Sequence, residues 1–319
     1  MKVLVVVLNY RTPQLVVRCL ESLKHEVEQI GSMRVVVTDN ASGDGSVEII
    51  GSAIEAHQWT WCDLIPLPEN GGYSVGNNAG IRPYLEGEHR PDYVMLVNPD
   101  TYVRPNAVVN LLRFMEAHPE AGLAGSRLED PDGAAQNGAF RFPGPITELI
   151  DGFRLGILTK ALKVHDLRYE LGFEPMEVDW IVGAAMMIRA QVLDDVGLLD
   201  EGYFLYFDEV DFCLQVHRAG WKTYYVPESV VVHLVGQSTG ISDHRKKPPR
   251  FPQYWFDSRR RFYLKNHGKL SLMAADLAFL FGYTTYRIRR VIQRQPDFDP
   301  PRFWSDFVRN STLVRGFKP

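Results

Sequence analysis

Over its first third the chain alternates between short unbroken apolar runs and stretches in which apolar residues recur at helical spacing. Val3-Leu4-Val5-Val6-Val7-Leu8 has no polar interruption, the pattern of a strand covered on both faces rather than of one shared between core and solvent. The pattern predicts strands over 2–8, 33–38, 61–66 and 93–97, separated by helices over 12–25, 46–57, 74–84 and 107–118. Pro13 near the first helix start, and Asp44 with Ser46 before the second, are amino-terminal helix signals. Strand–helix repetition of this kind predicts an α/β fold built on a sheet flanked by helices.

Beyond residue 120 the alternation gives way to a Gly-, Pro- and Asp-rich stretch, in which Asp130-Pro131-Asp132-Gly133 reads as a turn joining two short strands. Residues 180–189 are apolar, 205–220 combine an acidic cluster with helical spacing, and 223–226 and 230–234 read as two further strands. Residues 244–252, with three prolines and four basic residues, read as an exposed loop, and helix is expected from there to about residue 294. No internal repeat is present.

A chain of 319 residues with 45% hydrophobic and 23% charged positions has ample apolar surface for a large core, which excludes disordered, collagen-like and mini-protein classes. No run of 18 apolar residues occurs, so no spanning helix is expected. Met1-Lys2 leads straight into a strand without a signal-peptide pattern, so a cytoplasmic protein is expected. Cys19, Cys62 and Cys213 show no CxxC spacing and read as buried free thiols. The net charge of −4 conceals an asymmetry, because residues 245–319 hold 17 Lys/Arg against 5 Asp, leaving 18 basic against 34 acidic residues before them. A basic, aromatic-rich end suits nucleic acid, an anionic membrane surface or a phosphate-bearing substrate, and is equally the composition of a solvated helical face.

In open parallel sheets ligands bind beyond the carboxyl ends of the strands. The residues there are polar: Asn9-Tyr10, Asp39-Asn40, Asn70-Gly71-Gly72 and Asn98-Pro99-Asp100. Asp39 is placed to accept from a ribose or a base N–H, or else to cap a turn; Asp100 is placed to hold a divalent cation on a diphosphate. No G-x-G-x-x-G follows the first strand and no GxxxxGK[ST] occurs anywhere, which excludes those two nucleotide fingerprints. A second cluster, Asp208, Glu209 and Asp211, crowds three carboxylates beside Tyr206, Phe207 and Phe212. Crowding of this kind raises one pKa and suits a general base, although acids at a helix start are also ordinary partners of the macrodipole. His233 closes an apolar run and reads as a metal ligand, a base or a core histidine.

Taken in order, Leu8-Asn9-Tyr10, Val37 to Ser42, Asn70 to Gly80, Asn98-Pro99-Asp100, Trp180 to Ala184, Asp208 to Asp211 and Ala219-Gly220-Trp221 resemble the family 2 inverting glycosyltransferases of GT-A fold, most of all their bacterial rhamnosyltransferase branch. The resemblance covers residues 1–240. It implies a GT-A catalytic domain, a Rossmann-like nucleotide-binding mixed sheet flanked by helices, with a nucleotide-sugar half over 1–120 and an acceptor half over 121–240. A basic, mainly helical extension then follows over 241–319. By the same resemblance Asn9, Asp39, Asn40, Asn78, Asn98 and Asp100 would line the site of a dTDP- or UDP-sugar. Mg2+ or Mn2+ would rest on Asp100 and His233, and Glu209 would be the base, with Asp208 in reserve. Trp180, Gly183 and Asp211 would face a glycan or lipid-linked acceptor, with a wall formed by the Trp180 indole. Two departures weaken the match, since Asn98 stands where the family has an acid and the Asp208-Glu209 order inverts the usual Glu-Asp. The basic segment 259–294 would then meet the inner face of a membrane peripherally, pack on the catalytic domain or form a homodimer seam, and nucleic acid is not an expected partner. The competing readings are a catalytically weak nucleotide- or carbohydrate-binding module and a sugar-phosphate nucleotidylyltransferase.

Overall fold

A computed structural model describes residues 1–156, 166–234 and 248–317, and these fall into two compact units. The first comprises Met1–Ala139, Glu170–Phe204 and a segment beginning at Asp208; the second comprises Phe140–Tyr169, Leu205–Phe207 and the carboxyl-terminal segment. The second unit thus takes in two stretches that lie well before residue 241. The residues 244–247 of the expected proline-rich loop lie outside the described residues.

Unit 1 opens with β1 (Val3–Asn9), α1 (Pro13–Ile30), β2 (Met33–Asp39), α2 (Ser46–Ala56), β3 (Cys62–Pro66), α3 (Gly72–Leu85), β4 (Tyr93–Val97), β5 (Thr101–Val103), α4 (Ala107–Ala117) and β6 (Ala121–Glu129). The elements expected before residue 120 are all present, with ends shifted by a few residues; β5 is an addition. Helix α1 shows why the pattern folds as it does. Pro13 sits at the helix start, Val16, Cys19, Leu20 and Leu23 form one buried stripe, and Gly31, at φ 66°, ends the helix in the left-handed conformation. Each buried Leu or Val on such a stripe contributes about 1.5–3 kcal/mol relative to exposure. Glu26 on the same helix is fully buried and accepts from the N–H groups of Asn106, Val108 and Val109 at 2.6, 3.0 and 3.1 Å, so one carboxylate from α1 satisfies the orphan donors opening α4.

The chain continues through β7 (Ala139–Phe140), α5 (Pro145–Phe153), β8 (Met176–Val178), β9 (Trp180–Ile181), β10 (Ala185–Arg189), α6 (Ala190–Val196), α7 (Asp208–Arg218) and β11 (Lys222–His233). The sheet runs β3-β2-β1-β4-β10-β6-β11-β5, with β8 also paired to β11. The first four strands are parallel and β10 is antiparallel to β4, Ala185 lying opposite Val97. That reversal brings the residues leading into β10 to the edge where β1, β2 and β4 deliver their carboxyl ends. The two strands expected over 223–234 are one strand, β11, whose register slips between Val226 and Val230, where Pro227 lacks a ladder donor. The turn at Asp130–Gly133 forms, with Asp130 N–H donating to Ala134 at 2.8 Å, but only an isolated Glu129–Ala135 bridge follows it.

Unit 2 is helical: α5, α8 (Gln253–Asn266), α9 (Gly268–Ile292), α10 (Phe303–Asn310) and α11 (Thr312–Arg315). The helix expected up to about residue 294 is broken at Gly268, whose φ of 79° separates α8 from α9. The core is aromatic, built from Phe256, Phe279, Tyr283, Phe303 and Phe307. Arg259 lies inside it and pairs with Asp276 at 2.6 Å and Glu148 at 3.0 Å. Helices α5 and α9 cross at Gly152 and Gly282, where an added Cβ would come within 2.8 Å of the Phe279 and Leu149 carbonyl oxygens respectively. Among the described residues no helix is long and apolar enough to cross a membrane.

Candidate active site

The carboxyl ends of β1 and β2 are joined by side chains. Asn9 lies opposite Asp39 in parallel register, and Asn9 Nδ2 donates to Asp39 Oδ1 at 2.6 Å. Ser42 closes the loop, its Oγ donating to the same oxygen at 2.6 Å and its N–H to Oδ2 at 3.0 Å. Asn9 Oδ1 in turn accepts from the Thr12 N–H and hydroxyl, both at 3.2 Å. Three donors on one buried carboxylate hold it in a fixed orientation and leave Oδ2 a lone pair for a further donor. Ser42 was not singled out by sequence reasoning, although its place three residues after an aspartate is turn chemistry.

Asn40 braces the next loop, donating to the Gly72 carbonyl at 3.0 Å and accepting from the Gly71 N–H at 3.2 Å. Gly72 has φ 84°, and a Cβ there would lie 2.0 Å from the Phe204 carbonyl oxygen, so only glycine lets α3 begin where it does. Asn78, on α3, donates to the Leu199 carbonyl at 2.8 Å and to Glu201 at 3.0 Å, and accepts from the Leu199 N–H at 3.2 Å. Its amide is therefore committed to holding the 199–201 loop, which Arg82 also grips through Glu201.

Asn98 follows β4, and its N–H donates to Ala184 at 3.0 Å, tying this edge to the loop that precedes β10. Asp100 is buried, and His233, at the end of β11, brings Nε2 to 3.5 Å from Asp100 Oδ1. Antiparallel pairing of β5 with β11 places Thr101 opposite His233 and so creates this pair. Among the described residues no group of three or more His, Cys, Asp or Glu side chains could hold a metal ion, and Asp100 and His233 stand as a pair.

Tyr73 unites the remaining parts. Its hydroxyl donates to the Gly183 carbonyl at 3.0 Å and its N–H to Phe204 at 2.7 Å, while a Cβ on Gly183 would lie 2.2 Å from the Tyr73 hydroxyl oxygen. Burial raises the Tyr73 pKa well above its ordinary value, and the nearby Glu209 carboxylate raises it further, so the phenol remains a donor. Sequence reasoning missed this residue although it stands within the Asn70–Gly80 motif. Trp180, the first residue of β9, is half-buried, and the Cys213 thiol is pushed up to about 12 chiefly by burial.

Helix α7 opens with the three carboxylates in its first turn. Asp208 is buried; its Oδ1 accepts from the Glu209 N–H at 3.2 Å, and among the described residues Oδ2 has no hydrogen-bond partner. Burial first, and the Glu209 carboxylate second, hold the Asp208 pKa well above the usual carboxylate range. Glu209 is half-buried and reaches solvent. Asp211 is buried and accepts from Gln215 at 3.3 Å. The edge therefore presents an oriented carboxylate at Asp39, an imidazole–carboxylate pair at Asp100 and His233, and a neutral acid beside a solvent-reaching acid at Asp208 and Glu209. A surface cavity of about 390 Å³ at the opposite, amino ends of β1 and β4 is different in kind, because its charges are paired, Lys2 with Asp92 and Arg90 with Asp194.

The model of the family described as glycosyltransferase like family 2 matches residues 2–250. An N-acetylglucosaminyl-diphospho-decaprenol L-rhamnosyltransferase of Mycobacterium tuberculosis is 30% identical over 253 residues, 74% of this chain and 77% of that protein. The dTDP-rhamnosyl transferase RfbF of Shigella flexneri is 24% identical over 257 residues, 79% and 77% of the two chains. Among solved structures, a mannosyltransferase of Pyrobaculum calidifontis in complex with GDP-Man and Mn2+ superposes with a TM-score of 0.56 at 14% identity, covering 99% of this chain and 86% of that one. At that identity the likeness is one of fold.

Proposed function

The chain belongs to the glycosyltransferase like family 2 and is a glycosyltransferase, and from that premise we propose that it moves rhamnose from dTDP-rhamnose to a hydroxyl of a glycan or polyprenyl-linked acceptor in bacterial cell-wall or polysaccharide synthesis. The choice of donor is supported by the names of the two rhamnosyltransferase relatives. What supports the chemistry is that the Asn9–Asp39 pair ends β1 and β2, the Asp100–His233 pair follows β4 and ends β11, and Tyr73, bonded to Gly183, lies within electrostatic reach of Glu209.

Asp39, locked by Asn9 and Ser42, accepts from the base or ribose without having to reorient. Asn40 and Asn78 act on the donor through the loops they brace. Asp100 and His233 would hold a divalent cation, Mg2+ or Mn2+, through a carboxylate and an imidazole. When bound, such a cation neutralises charge developing on the diphosphate leaving group. Asp208 keeps its proton because it is buried beside Glu209, so it neither competes for the acceptor proton nor adds a second buried charge. Glu209 takes the proton from the acceptor hydroxyl as its oxygen forms a bond to the anomeric carbon and the bond to the diphosphate breaks. A single displacement of this kind inverts the anomeric centre. The half-buried Trp180 gives the acceptor sugar an apolar wall.

The test is to offer dTDP-rhamnose, UDP-sugars and GDP-mannose, each with Mn2+ and with EDTA, and to follow release of nucleoside diphosphate. The proposal expects dTDP release from dTDP-rhamnose that EDTA abolishes. Preferential turnover of a UDP- or GDP-sugar would overturn the donor assignment, and undiminished turnover in EDTA would overturn the role of Asp100 and His233.

A further inference from the structure

Helix α9 has two apolar faces, and unit 2 uses one. The inward face carries Leu272, Ala275, Phe279 and Tyr283, all buried. At 3.6 residues per turn, Leu270, Leu277, Phe281 and Ile288 return to one line on the other side, and Val291 and Ile292 continue it through the last turn. The exposure of these six ranges from 45% at Leu277 to 76% at Leu270. The stripe runs for about 33 Å, far longer than scattered surface apolar residues account for.

The surrounding charges indicate what covers it. Each of the five aspartates after residue 244 is engaged by an arginine: Asp257 by Arg315, Asp276 by Arg259, Asp297 and Asp299 by Arg290, and Asp306 by Arg250. The segment contains no glutamate, so its acidity is spent internally. Lys269 and Arg287 flank the stripe, each about 100° from its centre, and Arg294 follows the helix. Among the described residues these three form no ion pair with a carboxylate.

We propose that this stripe docks on a bilayer containing anionic phospholipids, with α9 lying in the interface, its apolar line among the acyl chains and Lys269, Arg287 and Arg294 at the level of the phosphates. A second copy of this chain fits less well, because isologous pairing along the stripe would bring the same basic flanks together. The inference draws on unit 2 alone and stands whether or not the sugar donor is the one named above.

Flotation of the full chain with vesicles tests it. Binding to vesicles of 30% phosphatidylglycerol in phosphatidylcholine is expected to exceed binding to pure phosphatidylcholine by roughly tenfold or more, and to weaken with added salt. Leu277→Asp combined with Ile288→Asp should abolish flotation while leaving the thermal melt unchanged, because both positions are exposed. If the aspartates disturb folding, as circular dichroism would show, Leu277→Ser with Ile288→Ser serves instead and should lower binding by about tenfold. Failure of the parent to bind anionic vesicles overturns the proposal. So does retained binding by a folded stripe variant, or a parent dimer that the stripe variant splits while vesicle binding is absent throughout.

Discussion

Asp39 and Asp208 are equally buried, at 2% and 1% exposure, yet the protein treats them in opposite ways. At the ends of β1 and β2, Asp39 receives donors from Asn9, the Ser42 hydroxyl and the Ser42 N–H. At the start of α7, Asp208 receives one, from Glu209, and its second oxygen has none among the described residues. The first arrangement is a binding surface finished before any ligand arrives. The second retains hydrogen-bonding capacity in a dry place, which is where proton chemistry is cheapest to arrange. Burial alone therefore does not fix what a carboxylate does; the donors around it decide whether it is held ionised or kept protonated.

The contrast breaks most completely at Glu209. Glu209→Gln keeps the shape and removes the base, so kcat should fall about 10²–10⁴-fold while donor affinity measured by calorimetry stays within about twofold. Equal losses in both would mean that α7 is a binding element like the Asp39 edge. Asp39→Ala, on the other side, strands three donors and should cost about 2–4 kcal/mol. That corresponds to a Tm lower by roughly 5–15 °C in thermal unfolding. A melt that barely moves would show the Asp39 network to be as unsettled as Asp208.

Smaller effects sharpen the comparison. Gly183→Ala drives a Cβ into the Tyr73 hydroxyl and should cost about 1–3 kcal/mol, and less in a Tyr73→Phe background, where the nearer of the two colliding atoms is gone. Additive losses in that double-mutant cycle would dissolve the link between α3 and the loop before β10. Asp208→Asn should stabilise the protein by about 1–2 kcal/mol near neutral pH and little at low pH. Below the ordinary carboxylate range Asp208 is protonated both folded and unfolded and costs nothing. As pH rises the unfolded chain releases that proton while the raised native group keeps it, so stability is lost until the native pKa is passed. A variant whose gain does not grow with pH would show that Asp208 is ionised in the native state.

Part of this site was legible in advance for a geometric reason. Parallel register puts the ends of adjacent strands side by side, so Asn9 and Asp39 could be paired from two apolar runs alone. Asp100 and His233 were paired only through the family resemblance, because their meeting depends on β5, a three-residue strand with no distinct pattern, and on its pairing with β11. Tyr73 and Gly183 are 110 residues apart and Asn78 and Leu199 are 121 apart, and nothing local to either end announces such a partner. Glu26 capping α4 from 80 residues away is hidden for the same reason. In unit 2 helix was legible to about residue 294, but the break at Gly268 and the helices α5, α10 and α11 were not. Which of the faces of α9 would be covered was not, since Leu272 and Leu270 are alike as letters and opposite in burial.

The crossing at Gly152 and Gly282 has a consequence for how this chain can vary. Backbone there touches backbone, so a nine-residue helix anchors one of 25 residues through a contact that no side chain can enter. A saturation library scored for folding would find position 282 intolerant of every replacement, one residue away from Phe281, which is exposed and meets Phe153 edge-on. The two glycines form a single heritable character, exchangeable only together with the angle at which the helices meet.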